Sequence, residues 1–127
     1  MMNYGLKILI VEDEAVCATL LSHYMIEMGH RVCKIVARGG DAIRAAREYG
    51  PDVVLMDVRL TDDIDGIEAA EKILGFSGGV SIVFMSAYSD DEIIARANKL
   101  NPAAYLCKPF EFEEMQAVIE NIQNKLD

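Results

Sequence analysis

What this chain lacks narrows its class before anything it contains. Its 127 residues hold 12 Lys and Arg against 21 Asp and Glu, a formal net charge of −9. No basic cluster interrupts that balance, and phosphate backbones recruit Lys and Arg clusters. Direct nucleic-acid binding is therefore not expected. Cysteine is scarce: Cys17, Cys33 and Cys107 are odd in number and widely spaced, without a metal-type C-x-x-C pair. They read as buried free thiols in a reducing cytoplasm. No apolar run approaches membrane-spanning length, so no membrane segment is expected. The start of the chain lacks a charged segment running into a signal-type apolar stretch and cleavage site. No internal repeat, linker or low-complexity stretch is present. What remains is one soluble, cytoplasmic domain over residues 1–127, with 52% hydrophobic residues to build its core.

The organising stretch is Val53-Val54-Leu55-Met56-Asp57, four apolar residues running into a carboxylate. Such a run fits a parallel strand buried on both faces. Lys7 to Val11 is a second run of this kind, ending in Glu12-Asp13-Glu14. Between them, Val16, Leu20, Tyr24 and Met28, flanked by Cys17, Leu21 and Met25, form a helical stripe that Gly29 is placed to end. Arg31 to Ala37 reads as a strand nearer the sheet edge. Gly39-Gly40-Asp41 breaks the chain before a helix carrying Ala42, Ile43, Ala46 and Tyr49, stopped by Gly50-Pro51. A polar loop from Val58 to Gly66 precedes a third helix with Ile67, Ala70, Ile73 and Leu74, ended around Gly75 to Gly79. Val80 to Met85 is the fourth strand and delivers Ser86 to its carboxyl end. Ser89-Asp90-Asp91-Glu92 has the S-x-x-E form of a capping box, which starts the fourth helix at Asp90. Ala103 to Cys107 is a short fifth strand ending in Lys108-Pro109, and Met115, Val118, Ile119, Ile122 and Leu126 mark the last helix. His23 and His30 are isolated and read as surface residues.

Five alternations of strand and helix call for a parallel sheet covered on both faces, joined by right-handed crossovers. All strand ends then point one way. Glu12, Asp13, Asp57, Ser86 and Lys108 converge on one rim, the edge where α/β proteins bind ligands. Three packed carboxylates repel one another and titrate as a set. A divalent cation relieves that repulsion, and hard oxygen ligands suit Mg²⁺. A lysine and a hydroxyl opposite the metal complete a clamp for a phosphoryl group, with Asp57 as the nucleophile.

Here the sequence resembles the receiver domain of two-component response regulators along essentially its whole length. The motifs are Ile10-Val11-Glu12-Asp13-Glu14, Leu55-Met56-Asp57-Val58-Arg59-Leu60, Asp65-Gly66, Met85-Ser86-Ala87 and Tyr105-Leu106-Cys107-Lys108-Pro109-Phe110. The resemblance implies a flavodoxin-like (βα)5 fold with strand order 2-1-3-4-5, an order for which receivers are a known example. It implies a phosphorylation switch rather than an enzyme with turnover, one that assists its own phosphorylation and dephosphorylation. Asp57 would take a phosphoryl group from a phosphohistidine on a sensor histidine kinase or a histidine phosphotransfer protein. Glu12, Asp13, Asp57 and the backbone carbonyl of Arg59 would hold Mg²⁺, with Mn²⁺ or Ca²⁺ able to substitute in vitro. Lys108 would pair with the phosphoryl oxygens. Ser86 would turn to meet one of them, and Tyr105 would then favour an inward rotamer. The Lys108–Pro109 peptide is expected to be cis. The readout for a downstream protein target, or for a homodimer, would be the surface of helix four, strand five and helix five.

Some residues depart from the family's pattern. Gly66 lies nine residues after Asp57, one more than usual, and Leu60-Thr61 replaces Met-Pro, so a local bulge is expected. Asp62 and Asp63 read as solvated loop charges. Arg59 and Tyr88 are both large and flank the acceptor, which points to slow self-dephosphorylation. Asn101-Pro102-Ala103-Ala104 before Tyr105 points to a less mobile switch aromatic. Three other functions compete. A phosphatase of the haloacid-dehalogenase type needs a second Asp where Arg59 stands. A flavodoxin-type binder needs a glycine loop after the first strand, and no G-x-G-x-x-G is there. A pseudo-receiver would act unphosphorylated, as a protein-interaction module. No output domain follows the last helix, so the chain reads either as a stand-alone regulator or as a fragment of a longer protein.

Overall fold

A computed structural model describes residues 5–60, 64–88 and 90–126. The expectations placed on Thr61, Asp62, Asp63 and Ser89 lie outside the described residues. Elements alternate strictly: β1 Lys7–Val11, α1 Ala15–Glu27, β2 Arg31–Val36, α2 Gly39–Tyr49, β3 Val53–Asp57, α3 Gly66–Phe76, β4 Ser81–Ser86, α4 Asp91–Asn98, β5 Ala104–Cys107 and α5 Phe112–Leu126. The five strands pair in parallel in the order β2-β1-β3-β4-β5. This is the flavodoxin-like (βα)5 arrangement with strand order 2-1-3-4-5.

Alternation along the central strands builds two cores. Leu9, Val54, Met56, Ile82 and Phe84 face α2, α3 and α4. Ile8, Ile10, Val53, Leu55, Val83 and Met85 face α1 and α5 through Leu21, Met25, Met115, Ile119 and Ile122. Every residue of β3 is buried, because both of its faces are covered. Truncating a fully buried side chain such as Phe84 to alanine costs about 3–5 kcal/mol. Among the described residues, no helix is long and apolar enough to cross a membrane.

Five details differ from the sequence reading. On α1 the buried residues are Ala18, Leu21 and Met25; Val16 is 80% exposed and Leu20 49%. This helix is apolar nearly all round, so spacing alone did not select its inner face. Gly39 and Gly40 open α2 instead of preceding it. A Cβ at Gly39 would lie 2.6 Å from Cγ1 of Ile64, so this glycine permits a close approach. The cap of α4 is Asp90, whose side chain accepts from the Ile93 N–H at 3.0 Å. His30 is buried, and its Nδ1 accepts from the Leu6 N–H at 3.0 Å. His23 is exposed. The thiols, expected to be buried, also differ: Cys17 and Cys33 are only partly buried and Cys107 is exposed.

Candidate phosphoryl-acceptor site

The carboxyl ends of β1, β3, β4 and β5 bring Glu12, Asp57, Ser86 and Lys108 to one rim. The backbone sets their spacing: Val58 N–H donates to the Met85 carbonyl at 2.9 Å, and Lys108 N–H to the Ser86 carbonyl at 2.7 Å. Gly66 holds the returning loop against the end of β3, its N–H donating to the Val58 carbonyl at 2.8 Å. A Cβ there would sit 2.0 Å from the Asp57 carbonyl oxygen. The Asp65-Gly66 pair is thus a close-approach requirement at Gly66 and a helix cap at Asp65. Asp65 Oδ1 accepts from the Glu68 N–H at 2.8 Å, closing a capping box.

Glu12, Asp57 and Ser86 are buried, while Asp13 stands exposed at the mouth. Lys108 Nζ bridges the two buried carboxylates, 2.7 Å from Glu12 Oε2 and 3.1 Å from Asp57 Oδ2. The second oxygens are also engaged: Glu12 Oε1 accepts from the Glu14 N–H, and Asp57 Oδ1 from the Arg59 N–H, each at 3.1 Å. Burial and then the Glu12 charge push the Asp57 carboxyl up to about 6, against the pull of Lys108. Burial also raises Glu12, but its bonds to Lys108, Asp57 and the Glu14 backbone outweigh it and leave that group below the usual range. Burial disfavours the Lys108 ammonium, yet the two carboxylates hold it charged well above the usual range. One shared cation and two carboxylates of unequal proton affinity leave Asp57 the more readily protonated of the pair.

One oxygen each from Glu12, Asp13 and Asp57 lies within 4.8 Å of the others. Three hard carboxylate donors, two of them buried, fit a Mg²⁺ that keeps several waters. The Lys108–Pro109 peptide is cis. Ser86 Oγ accepts from the Tyr88 N–H at 2.9 Å, and the Tyr105 hydroxyl donates to the Tyr88 carbonyl at 2.8 Å. Tyr105 is partly buried against the core, its ring 6.3 Å from that of Phe84. The guanidinium of Arg59 lies 4.1 Å from the centre of the Tyr88 ring. Sequence reasoning noted Arg59 and Tyr88 separately and missed their contact. It also missed the ion pair of 3.0 Å between Arg96 on α4 and Asp65. The D-x-x-E spacing of Asp65 and Glu68 was a readable capping signal; nothing local marks the partner of Arg96.

The response regulator receiver domain model matches residues 8–120. The transcriptional regulatory protein PdtaR of Mycobacterium tuberculosis is 33% identical over 114 residues, covering 90% of this chain and 55% of that protein. The chain thus spans about half the length of that relative. Among solved structures, the receiver domain of a modulated diguanylate cyclase from Desulfovibrio desulfuricans superposes with a TM-score of 0.87 at 30% identity, covering 95% of each chain. The receiver domain of the sensor histidine kinase PA1611 from Pseudomonas aeruginosa has a TM-score of 0.83 at 31% identity, covering 94% of this chain and 98% of that one. In that structure a magnesium ion is coordinated in the active site cleft. With the fold, the rim and these likenesses together, the chain belongs to the response regulator receiver domain family.

Proposed function

We propose that this receiver domain is a phosphoacceptor switch in which Asp57 takes a phosphoryl group from a phosphohistidine partner. The observation that carries the reading is the buried Asp57 carboxylate bridged to Glu12 by Lys108. One carboxylate oxygen of Asp57 attacks phosphorus; the P–N bond breaks, and the imidazole leaves with its electron pair. Glu12, Asp13, Asp57 and the Arg59 carbonyl would hold Mg²⁺, which would offset the charge of the carboxylates and the incoming phosphoryl oxygens. Lys108 meets one phosphoryl oxygen from a position it already occupies, and the Ser86 hydroxyl donates to another. The domain turns over no substrate and ends the cycle by hydrolysis of its own acyl phosphate.

The outer face of α1 supports the docking of a helical donor beside the acceptor. Val16 and Leu20 stand exposed there. A groove of about 370 Å³ runs from Leu20 and Tyr24 to Lys108, Pro109 and Phe110. A helix carrying a histidine amid apolar neighbours would cover both. Output to a protein target, or to a second copy, falls to the surface of α4, β5 and α5. Incubation with Mg²⁺ and acetyl phosphate, followed by intact mass, tests the reading. One phosphoryl group is expected on the parent protein and none on Asp57→Asn; equal uptake by both would move the acceptor to another residue, and none by a folded parent that binds Mg²⁺ returns the domain to an unphosphorylated interaction module.

A further inference from the structure

Among the described residues, Tyr88 joins both switch side chains to the loop that follows Asp57. Its N–H holds Ser86 Oγ at 2.9 Å, and its carbonyl holds the Tyr105 hydroxyl at 2.8 Å. Its ring carries the Arg59 guanidinium at 4.1 Å, and the Arg59 N–H holds Asp57 Oδ1 at 3.1 Å. The side chains of the acceptor loop and the switch pair therefore meet at this cation–π contact. Resting on the phosphoacceptor reading of Asp57, we propose that this contact is a clasp that phosphorylation opens. Arg59 leaves the ring for the phosphoryl oxygens, and Tyr88 passes the change to Ser86 and Tyr105.

Relative strengths give the direction. Tyr88 is 47% exposed, and a cation–π contact at an exposed site is weak. A phosphoryl group brings about −1.5 to −2 charge and three strong acceptor oxygens. Guanidinium-to-phosphate hydrogen bonds are charge-assisted and bidentate, so they outcompete the ring. Arg59 starts from a backbone already bonded to the acceptor carboxylate, so the exchange needs its side chain to swing and no shift of the chain. Before phosphorylation, Lys108 compensates both buried carboxylates, and Arg59 is left to the ring. Once its ring is released, Tyr88 no longer fixes the N–H and carbonyl that hold the two switch side chains. Arg59 and Tyr88 are thus positioning residues, acting through others.

Fluorine NMR on the full chain labelled with 3-fluorotyrosine reads the clasp. Tyr88→Phe and Tyr105→Phe assign the two resonances, and intact mass reports phosphorylation in each sample. With Mg²⁺ and acetyl phosphate, both resonances of the parent are expected to move. In Arg59→Ala the Tyr88 resonance should start displaced, and its phosphorylation-dependent shift should fall to less than half. Arg59→Lys, which keeps charge but loses the planar fork, should fall between. A phosphorylated parent whose Tyr88 resonance stays at its resting position overturns the clasp alone, as does an equal shift in phosphorylated Arg59→Ala. A parent that takes up no phosphoryl group overturns the acceptor reading and the clasp together.

Discussion

Two aspartates stand at opposite ends of β3, and they live differently. Asp52, just before the strand, accepts from the Lys7 N–H at 2.8 Å, while its own N–H and carbonyl bond the backbones of Lys7 and Ser81. Lys7 in turn gives its Nζ to the Tyr49 carbonyl at 2.9 Å. At that rim, the side chains of Lys7, Asp52 and His30 each serve a backbone group. At the other rim, Asp57 and Glu12 share the Lys108 ammonium. Polar groups that serve the backbone are structural staples. Polar groups gathered and buried around one another hold electrostatic stress that a ligand can relieve, and this separates a functional rim from a structural one.

Substitutions at the two rims should therefore fail in different ways. The largest effect is expected at the acceptor: Asp57→Asn loses phosphoryl uptake completely, whereas Asp52→Asn retains it, as intact mass will report. Gly66→Ala strikes the site through the backbone. Its Cβ has no room beside the Asp57 carbonyl, and a loss of more than about 2 kcal/mol is expected in denaturant melts. Asp52→Ala should cost about 1–2 kcal/mol, because a partly buried backbone N–H loses a charged acceptor, with uptake unchanged. The double variant Arg59→Ala, Tyr88→Ala should shorten the phosphoryl lifetime several-fold, measured as decay of the phosphorylated mass after the donor is removed. A lifetime equal to or longer than the parent's removes the shielding role.

The smallest differences are in pH dependence, and they carry opposite signs. Asp57 has a folded-state pKa raised to about 6, so the folded chain binds this proton more tightly than the unfolded one. Stability from this group is present below about pH 4 and lost as pH rises through about 6. Asp57→Asn should accordingly raise the melting free energy at pH 7 by about 1–2 kcal/mol, a value reduced for water at the rim. The gain should vanish below about pH 4. Burial lowers the pKa of His30, so stability is lost as pH falls below the ordinary value of about 6.5. His30→Asn should flatten that part of the curve by about 1 kcal/mol or less.

Legibility followed the same division. The continuous apolar run of Val53 to Met56 marked a strand buried on both faces, and four parallel strands ending in polar residues implied their convergence. Gly39 was read as a breaker because a glycine's local effect is visible in sequence and its contacts are not; Ile64 explains it. The inner face of α1 was illegible because apolar residues ring the helix. His30 was misread because its partner, the Leu6 N–H, lies 24 positions away. The same holds for the contacts of Arg59 with Tyr88 and of Arg96 with Asp65, which join loops and helices distant along the chain.

The most direct test of the central claim locates the phosphoryl group by chemistry. The parent protein would be loaded with Mg²⁺ and acetyl phosphate, reduced with borohydride and digested for peptide mass spectrometry. Hydride converts an aspartyl phosphate to homoserine with release of phosphate, so the conversion should appear at position 57 and nowhere else. Conversion at Asp13, Asp52 or another aspartate, with Asp57 intact in a chain shown by intact mass to be phosphorylated, would contradict the account.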